Sequence, residues 1–387
     1  MNEMARTVAV APGQTSVPIA YLYGQELPNT SANSGAVLDL CASLAALGHP
    51  VTVFYRNGSE STIRRLYGVP QSVALRPLKT VSGPAQQAFW AWQVRRRAPR
   101  SILIARLGPC AILSAALRMP AIFEMHQDCS TIRNWKHWKR LLALVHARHL
   151  SIAVLTQALD DQLDSDLRAR SGRIRVIPSA GADFAACEPP KPAFDVGYVG
   201  SFMPGKGIEK VLEIARELRE ATFVIYGDPA RNRQISAHFE ALDNVTLAGF
   251  VPRTEVGSAL RSFRVGLAPY ASSGFGGDSM AFVSSSSMSS LKLVEYMSAG
   301  CVIVASRIPA VETTVRDGRE ALLVDEADTQ AWVEAVRRVL RHPDFAEELC
   351  GNARQRFLDQ FSFQERASRF SDLAMRLAAN RRVEKAR

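Results

Sequence analysis

Residues 284–306 read SSSSMSSLKLVEYMSAGCVIVAS. A polar, Ser-rich loop runs into a short helix over residues 291–299, Gly300 stops it, and a buried strand rich in β-branched side chains follows over 302–305. The loop therefore empties onto a helix N-terminus. Several backbone N–H groups there lack intrahelical partners and the peptide dipoles add partial positive charge, so a phosphate is the natural guest. Glu295, one turn into the helix, is placed to accept hydrogen bonds from hydroxyls of the same guest. A diphosphate beside a vicinal diol describes a nucleotide ribose.

Strand and helix alternate on both sides of this segment. Upstream, residues 17–23, 51–55, 101–105, 121–124, 151–155 and 175–177 read as strands, with helices over 36–47, 84–97, 109–118, 131–149 and 158–165 between them. Residues 184–194, FAACEPPKPAF, are Pro-rich and aperiodic and read as an interdomain linker. A second series follows, with strands at 195–200, 221–226, 245–247, 265–269 and 321–324 and helices at 208–218, 234–242 and 255–263. Helices over 329–340, 345–358 and 363–383 close it. Strands separated by helices of this length pair in parallel through right-handed crossovers. The expected fold class is thus α/β, with two doubly wound Rossmann-like domains over 17–183 and 195–362, a loose tail over 1–16 and a terminal helix over 363–387. Loops at the carboxyl ends of both sheets are expected to face a cleft, where ligands bind in such folds.

At 387 residues the chain suits two cores rather than one. No apolar run approaches the roughly 18 residues that span a bilayer, and the N-terminus lacks the basic and apolar regions of a secretion signal. A cytoplasmic location, with peripheral contact to a membrane face as an option, is the expectation. The six cysteines are scattered without a CxxC pair, which argues against a zinc site. The formal charge of +10 favours anionic partners such as nucleotide diphosphates or acidic lipid surfaces. Neither zinc-finger spacing nor an RNP-like aromatic motif is present, so nucleic acid is not an expected partner.

Several stretches carry candidate chemistry. VGSFMPGKG, 199–207, is a Gly-rich turn after a strand, with Lys206 a point charge beside a helix start; the plain alternative is an ordinary turn with a solvated lysine. In NTSANSGA, 29–36, Gly35 lies at a helix start where amides could meet an anion, or Ser34 simply caps the helix. FEMHQD, 123–128, ends a buried strand and directs His126 toward a sugar hydroxyl or a proton, unless it is a structural histidine. Asp160 and Asp161 look like a solvated helix start. The low-complexity loop 271–290 suits either a flap over substrate or disorder. In NWKHWKRLLALVHARH, 134–149, Trp135, Trp138, Leu142 and Val145 recur at helical spacing beside basic residues, as in a core-packing helix or one lying on anionic lipid; WAWQVRRR, 90–97, keeps the lipid option open.

Together these stretches resemble the retaining family 4 glycosyltransferases of the two-domain GT-B fold, over most of the chain. LKLVEYMSAGCVIVAS is similar to that family's LK-x-x-EYM-x-x-G-x-P-V-V-A-S segment, VGSFMPGKG to its phosphate loop, FEMHQD to its E-x-H strand end, and NVTLAGFVPRTEV to its segment before the base pocket. The resemblance implies that Glu295 holds the donor ribose and that Lys206, with Ser201 in its loop, serves the diphosphate. It implies the same for Ser290 and the amides near Leu291 and Lys292. Gly35 would sit beneath the diphosphate, the backbone at Phe250 and Val251 would flank the base, and His126 would contact the transferred sugar. The terminal helix would return to the first domain.

Departures are visible too. The family's first glutamate, eight positions before Glu295, is Ser287 here, with Asp278 a speculative substitute; the arginine of its phosphate loop is Ser201; its paired glycine near the first helix is Ser34-Gly35; and its N-G-V-D appears as residues 179–183, SAGAD. The implied activity is transfer of a sugar, with retention and without a metal or other cofactor, from a nucleotide diphosphate sugar (UDP or GDP) to a saccharide, lipid-linked or small-molecule acceptor. A nucleotide-sugar epimerase and a non-catalytic nucleotide- or membrane-binding protein are the rival readings.

Overall fold

The structure, a computed structural model, describes residues 16–29, 32–83, 85–184, 192–203, 205–273, 275–277, 280–283 and 288–386. Most of the expected tail and linker, Pro84, Asp278 and Ser287 lie outside the described residues.

The first series runs β1 (Ile19–Glu26), α1 (Ala32–Ala46), β2 (Val51–Arg56), α2 (Glu60–Tyr67), β3 (Val73–Leu78), α3 (Gln86–Arg97), β4 (Ile102–Ala105), α4 (Gly108–Ala116), β5 (Ala121–Met125), α5 (Trp135–Leu142), β6 (Leu150–Val154), α6 (Gln157–Asp161), α7 (Ser165–Arg170) and β7 (Arg173–Val176). The second runs β8 (Phe194–Val199), α8 (Ile208–Glu217), β9 (Phe223–Tyr226), α9 (Arg233–Glu240), β10 (Val245–Gly249), α10 (Val256–Leu260), β11 (Phe263–Ala268), β12 (Phe275–Gly277), β13 (Met280–Val283), α11 (Leu291–Ala299), β14 (Val302–Ser306), α12 (Pro309–Thr314), β15 (Ala321–Val324), α13 (Thr329–Arg341), α14 (Pro343–Arg356) and α15 (Phe363–Ala386). Contacts divide the chain into two units: residues up to 155, 159–177 and from 363 onward form the first, and 156–158 with 178–362 form the second.

Each unit is a doubly wound parallel sheet, the expected fold class. The first has strand order β3-β2-β1-β4-β5-β6-β7 and the second β10-β9-β8-β11-β14-β15. Ile19 of β1 pairs with Val51 on one side and Ile102 on the other, and Val196 of β8 with Phe223 and Val265. Chain order therefore reverses between β1 and β4 and between β8 and β11. These are the switch points at which loops from the carboxyl ends of neighbouring strands diverge and leave a crevice.

Side-chain alternation explains why both faces of the second sheet are covered. Val302 and Val304 pack with Val265, Leu267 and Trp332 on one face, while Ile303 and Ala305 pack with Tyr296, Met297 and Phe357 on the other. Gly300, at φ +79, closes α11 in the left-handed conformation, and a Cβ there would meet nothing within 4 Å. Gly300→Ala should therefore lose only the conformational cost, about 1–2 kcal/mol of unfolding free energy in a denaturant titration. A much larger loss would reveal a contact the geometry lacks.

Several elements depart from the sequence reading. α2 and β3 were not expected: α2 buries only Ile63, and β3 is an edge strand carrying Arg76 and Pro77, which breaks the apolar alternation a central strand would show. α12 was likewise missed. The helix expected over 131–149 is confined to Trp135–Leu142; beyond it the chain proceeds through turns into β6, and Val145 still packs in the same core as Leu142, with Trp135 and Trp138 against it, while Leu144 between them is exposed. The helix expected over 158–165 is split into α6 and α7. The loop 271–290 contributes the antiparallel pair β12–β13.

Helix α15 belongs to the first unit. Phe363, Ala367, Phe370, Leu373, Ala374 and Leu377 recur at three- and four-residue spacing and are buried, and the helix packs on α1 and on β4–β6. Polar contacts fix its register: Ser371 Oγ lies 2.8 Å from His49 Nε2, and Arg366 donates to Ile177 O at 2.8 Å.

Candidate functional site

In the second unit the Gly-rich turn between β8 and α8 lies at the β8/β11 switch point. Gly207, at φ +82, meets the backbone after β11 so closely that a Cβ would fall 1.7 Å from Pro269 O, and Ala271 N donates to Gly205 O at 3.2 Å. The Tyr198 hydroxyl lies 2.9 Å from Ser201 O and 3.1 Å from Lys206 O, which pins both ends of the turn. Two ammonium groups converge over Tyr270: Lys206 Nζ is 5.9 Å from its ring centroid and Lys292 Nζ 5.1 Å, the latter also standing 3.8 Å from the Tyr198 centroid. Lys292 is 8% exposed and its Nζ has no hydrogen-bond partner among the described residues.

Charge follows from that packing. Burial lowers Lys206 to about 8. Burial first, and the like charge of Lys206 second, hold Lys292 well below the usual lysine range, against the pull of Glu295. Burial raises Glu295 to about 7, although Arg253 and Lys292 favour its carboxylate. The site thus carries two lysines whose charge burial opposes and a carboxylate near its midpoint. An incoming diphosphate would stabilise the first, and a diol would donate to the second.

The first unit carries a separate cluster at its β1/β4 switch point. Glu124, at the end of β5 and fully buried, binds four groups: its Oε2 accepts from the Tyr21 hydroxyl at 2.5 Å, and its Oε1 lies 2.7 Å from His126 Nε2, 2.7 Å from Arg366 Nη2 and 3.3 Å from Arg106 Nη2. Arg106 Nε also donates to the Tyr21 hydroxyl at 3.0 Å. Burial opposes the Glu124 charge, yet Arg106, His126 and Arg366 outweigh it and hold the carboxyl well below its ordinary range. Burial first and Arg106 next push His126 down to about 4. At neutral pH the imidazole is therefore uncharged, and with Nε2–H donated to Glu124 its Nδ1 carries the lone pair. Its side chain is 26% exposed, so it can reach a ligand.

Among the described residues, no group of three or more His, Cys, Asp or Glu could hold a metal ion, and no helix is long and apolar enough to cross a membrane. The family profile described as glycosyl transferases group 1 matches residues 193–342, and that described as glycosyltransferase family 4 matches 36–180. The chain belongs to the group 1, family 4 glycosyltransferases. A D-inositol 3-phosphate glycosyltransferase of Nocardioides is 35% identical over 92 residues, 23% of this chain and 19% of that protein. The chain spans less than half the length of the curated relatives it matches. A glycosyltransferase structure from Rickettsia africae covers 94% of this chain and 99% of its own, with a TM-score of 0.72 at 12% identity. The Anabaena protein HepE in complex with UDP and glucose covers 92% and 99%, with a TM-score of 0.65 at 14% identity.

In this group 1 glycosyltransferase the structure brings Lys206, Lys292 and Glu295 together but alters the parts of their neighbours. The Leu291 amide donates to Ser289 O at 3.2 Å, and the Ser290 hydroxyl donates to the Tyr270 hydroxyl at 2.7 Å, so both polar groups are already engaged. The Ser201 hydroxyl accepts from Met203 N at 3.2 Å and shapes the turn. Gly35 lies within the first turn of α1, not at its cap, because the helix begins at Ala32; Ser34 is buried beside the Tyr67 hydroxyl at 3.0 Å rather than capping. Phe250 is 70% exposed after β10, next to the half-buried Val251. Asp160 pairs with Arg168 at 2.8 Å. Tyr198 and Tyr270 were not singled out from sequence, nor were Tyr21, Arg106 and Arg366, since no local spacing marks a side chain that meets its partner through the tertiary fold.

Proposed function

We propose that the protein transfers a sugar, with retention and without a divalent cation, from a nucleotide diphosphate sugar to an acceptor hydroxyl. The bond from the anomeric carbon to the diphosphate breaks, the diphosphate leaves with the electron pair, and the acceptor oxygen bonds to that carbon and gives up its proton. The observation that carries this reading is the Lys292 ammonium, buried and without a hydrogen-bond partner among the described residues, over the same phenol ring as Lys206. Burial holds this lysine back from its charged form until an anion arrives, and cations aimed at a leaving diphosphate stabilise charge that grows in the transition state. Glu295 accepts from the ribose hydroxyls, the backbone at Phe250 and Val251 flanks the base, and Gly35 serves the diphosphate. Neutral His126 accepts from a sugar hydroxyl through Nδ1. The UDP and glucose bound to HepE make a uridine donor the first to assay.

Incubation with a panel of nucleotide sugars, with and without saccharide and lipid acceptors, tests the reading. Acceptor-dependent nucleotide release supports it; donor interconversion without acceptor indicates an epimerase, and binding with neither reaction a non-catalytic protein. Nucleotide affinity should rise with pH as Glu295 ionises near 7 and fall as Lys206 loses its proton near 8. A UDP titration flat between pH 6 and 9 would remove both groups from the site.

A further inference from the structure

Strand β7 ends the first sheet, and among the described residues one of its edges has no neighbouring strand. Its sequence, RIRV, alternates charged and apolar side chains, so Ile174 and Val176 pack against the core while the period of two places Arg173 and Arg175 together on the other face. Helix α15 supplies a second row of charge. Around its buried Leu373, Arg369, Asp372 and Arg376 recur at three- and four-residue spacing. The two rows enclose a cavity of about 290 Å³ whose apolar lining is Val176, Ile177 and Leu373. Strand and helix both belong to the first unit, whereas Lys206, Lys292 and Glu295 belong to the second, so the cavity takes no part in the donor site.

Positive charge in this cavity is short of compensation. Four arginines meet one lining carboxylate, Asp372. Arg369 pairs with Glu365 at 2.8 Å, whereas Arg173, Arg175 and Arg376 make no ion pair or side-chain hydrogen bond among the described residues. Burial first, and then the like charges of Arg175 and Arg376, lower the Arg173 guanidinium below its ordinary value, with Asp372 opposing them. A guanidinium stays protonated all the same, so the repulsion persists until an anion neutralises it. The donors also select the anion's shape. A carboxylate presents two oxygens in one plane and is filled by one bidentate guanidinium, while guanidiniums arriving from a strand and from a helix need acceptor oxygens that face several ways. Phosphate supplies them, and linked phosphates add charge to match the arginines. We propose that this cavity binds a multiply charged phosphate group through Arg173, Arg175 and Arg376, carried by a free polyphosphate or by a lipid headgroup. Such binding is independent of sugar transfer.

Isothermal titration of the full chain with inorganic phosphate, pyrophosphate and tripolyphosphate, at constant ionic strength and with saturating UDP on the donor lysines, tests it. Tripolyphosphate should bind about tenfold tighter than inorganic phosphate. Arg175→Gln with Arg376→Gln, both at exposed positions, should weaken tripolyphosphate binding about tenfold and leave UDP affinity unchanged. Arg65→Gln with Arg100→Gln removes the same charge from exposed positions elsewhere in the first unit and should leave both affinities unchanged. Sedimentation with phosphatidic acid vesicles, against phosphatidylcholine alone, separates the two carriers: capture that the Arg175 and Arg376 changes abolish assigns a lipid headgroup, and soluble binding without capture assigns a free anion. Equal losses in the two variant pairs, or wild-type affinity in the first pair, would reduce the effect to general attraction by a basic chain and overturn the proposal. So would a protein that binds neither the soluble phosphates nor the acidic vesicles. Failure of UDP to bind counts against the donor reading alone, because the comparison of the two variant pairs stands without it.

Discussion

Lys292→Met is expected to make the protein more stable and a poorer binder of UDP. The amine is buried, lies next to a second lysine and lacks a hydrogen-bond partner among the described residues, so its removal relieves the cost of desolvating the charged form or of holding it deprotonated. The contacts over Tyr198 and Tyr270 return part of that cost, which leaves a net gain of about 1 kcal/mol. Binding should weaken roughly 10- to 100-fold, the worth of one charge-assisted hydrogen bond to a buried phosphate. The proton balance gives an independent reading. Near pH 8 the wild-type lysines are depressed, so a diphosphate that restores their charge should draw protons from the buffer, and the variant should draw fewer. Titrations in buffers of different ionisation enthalpy measure this. Unchanged uptake together with unchanged UDP affinity would separate Lys292 from the diphosphate.

The fold was legible where periodicity and punctuation coincide. Helix α11, with Gly300 after it and the β-branched strand beyond, lies where residues 284–306 place it, because apolar spacing and a left-handed glycine are local properties. β3 was not legible, since an edge strand tolerates Pro77 and Arg76 and gives up the pattern. The site was legible to the same extent. Lys206 and Glu295 stand next to glycines and helix starts that announce an anion. Lys292 reads as one residue of a helix, and only the tertiary packing over Tyr198 and Tyr270 shows that its side chain turns inward. Arg366 had no local signal at all, because its partner Glu124 lies on β5 while it lies on the terminal helix.

That distant pairing leads to the largest expected loss of stability. Glu124→Ala leaves the buried Arg366 and the largely buried Arg106 facing each other without the carboxylate that joins them, at a cost of about 3–5 kcal/mol. Replacing Arg366 with Met in the same background should recover part of the loss, because it removes one stranded cation; strict additivity in this double-mutant cycle would sink the network. Acid sensitivity should change as well. The Glu124 carboxyl is depressed, so its stabilisation is present above the ordinary glutamate range and is lost as pH falls toward its folded value. His126, at about 4 when folded, binds its proton less readily than in the unfolded chain, so stability also falls between pH 6.5 and 4. His126→Asn should flatten that upper part of the acid limb and keep the lower part that Glu124 causes. Unfolding curves collected at half-unit intervals from pH 7 to 3 distinguish the two, and an unchanged limb in the His126 variant would mean that its imidazole titrates near its ordinary value.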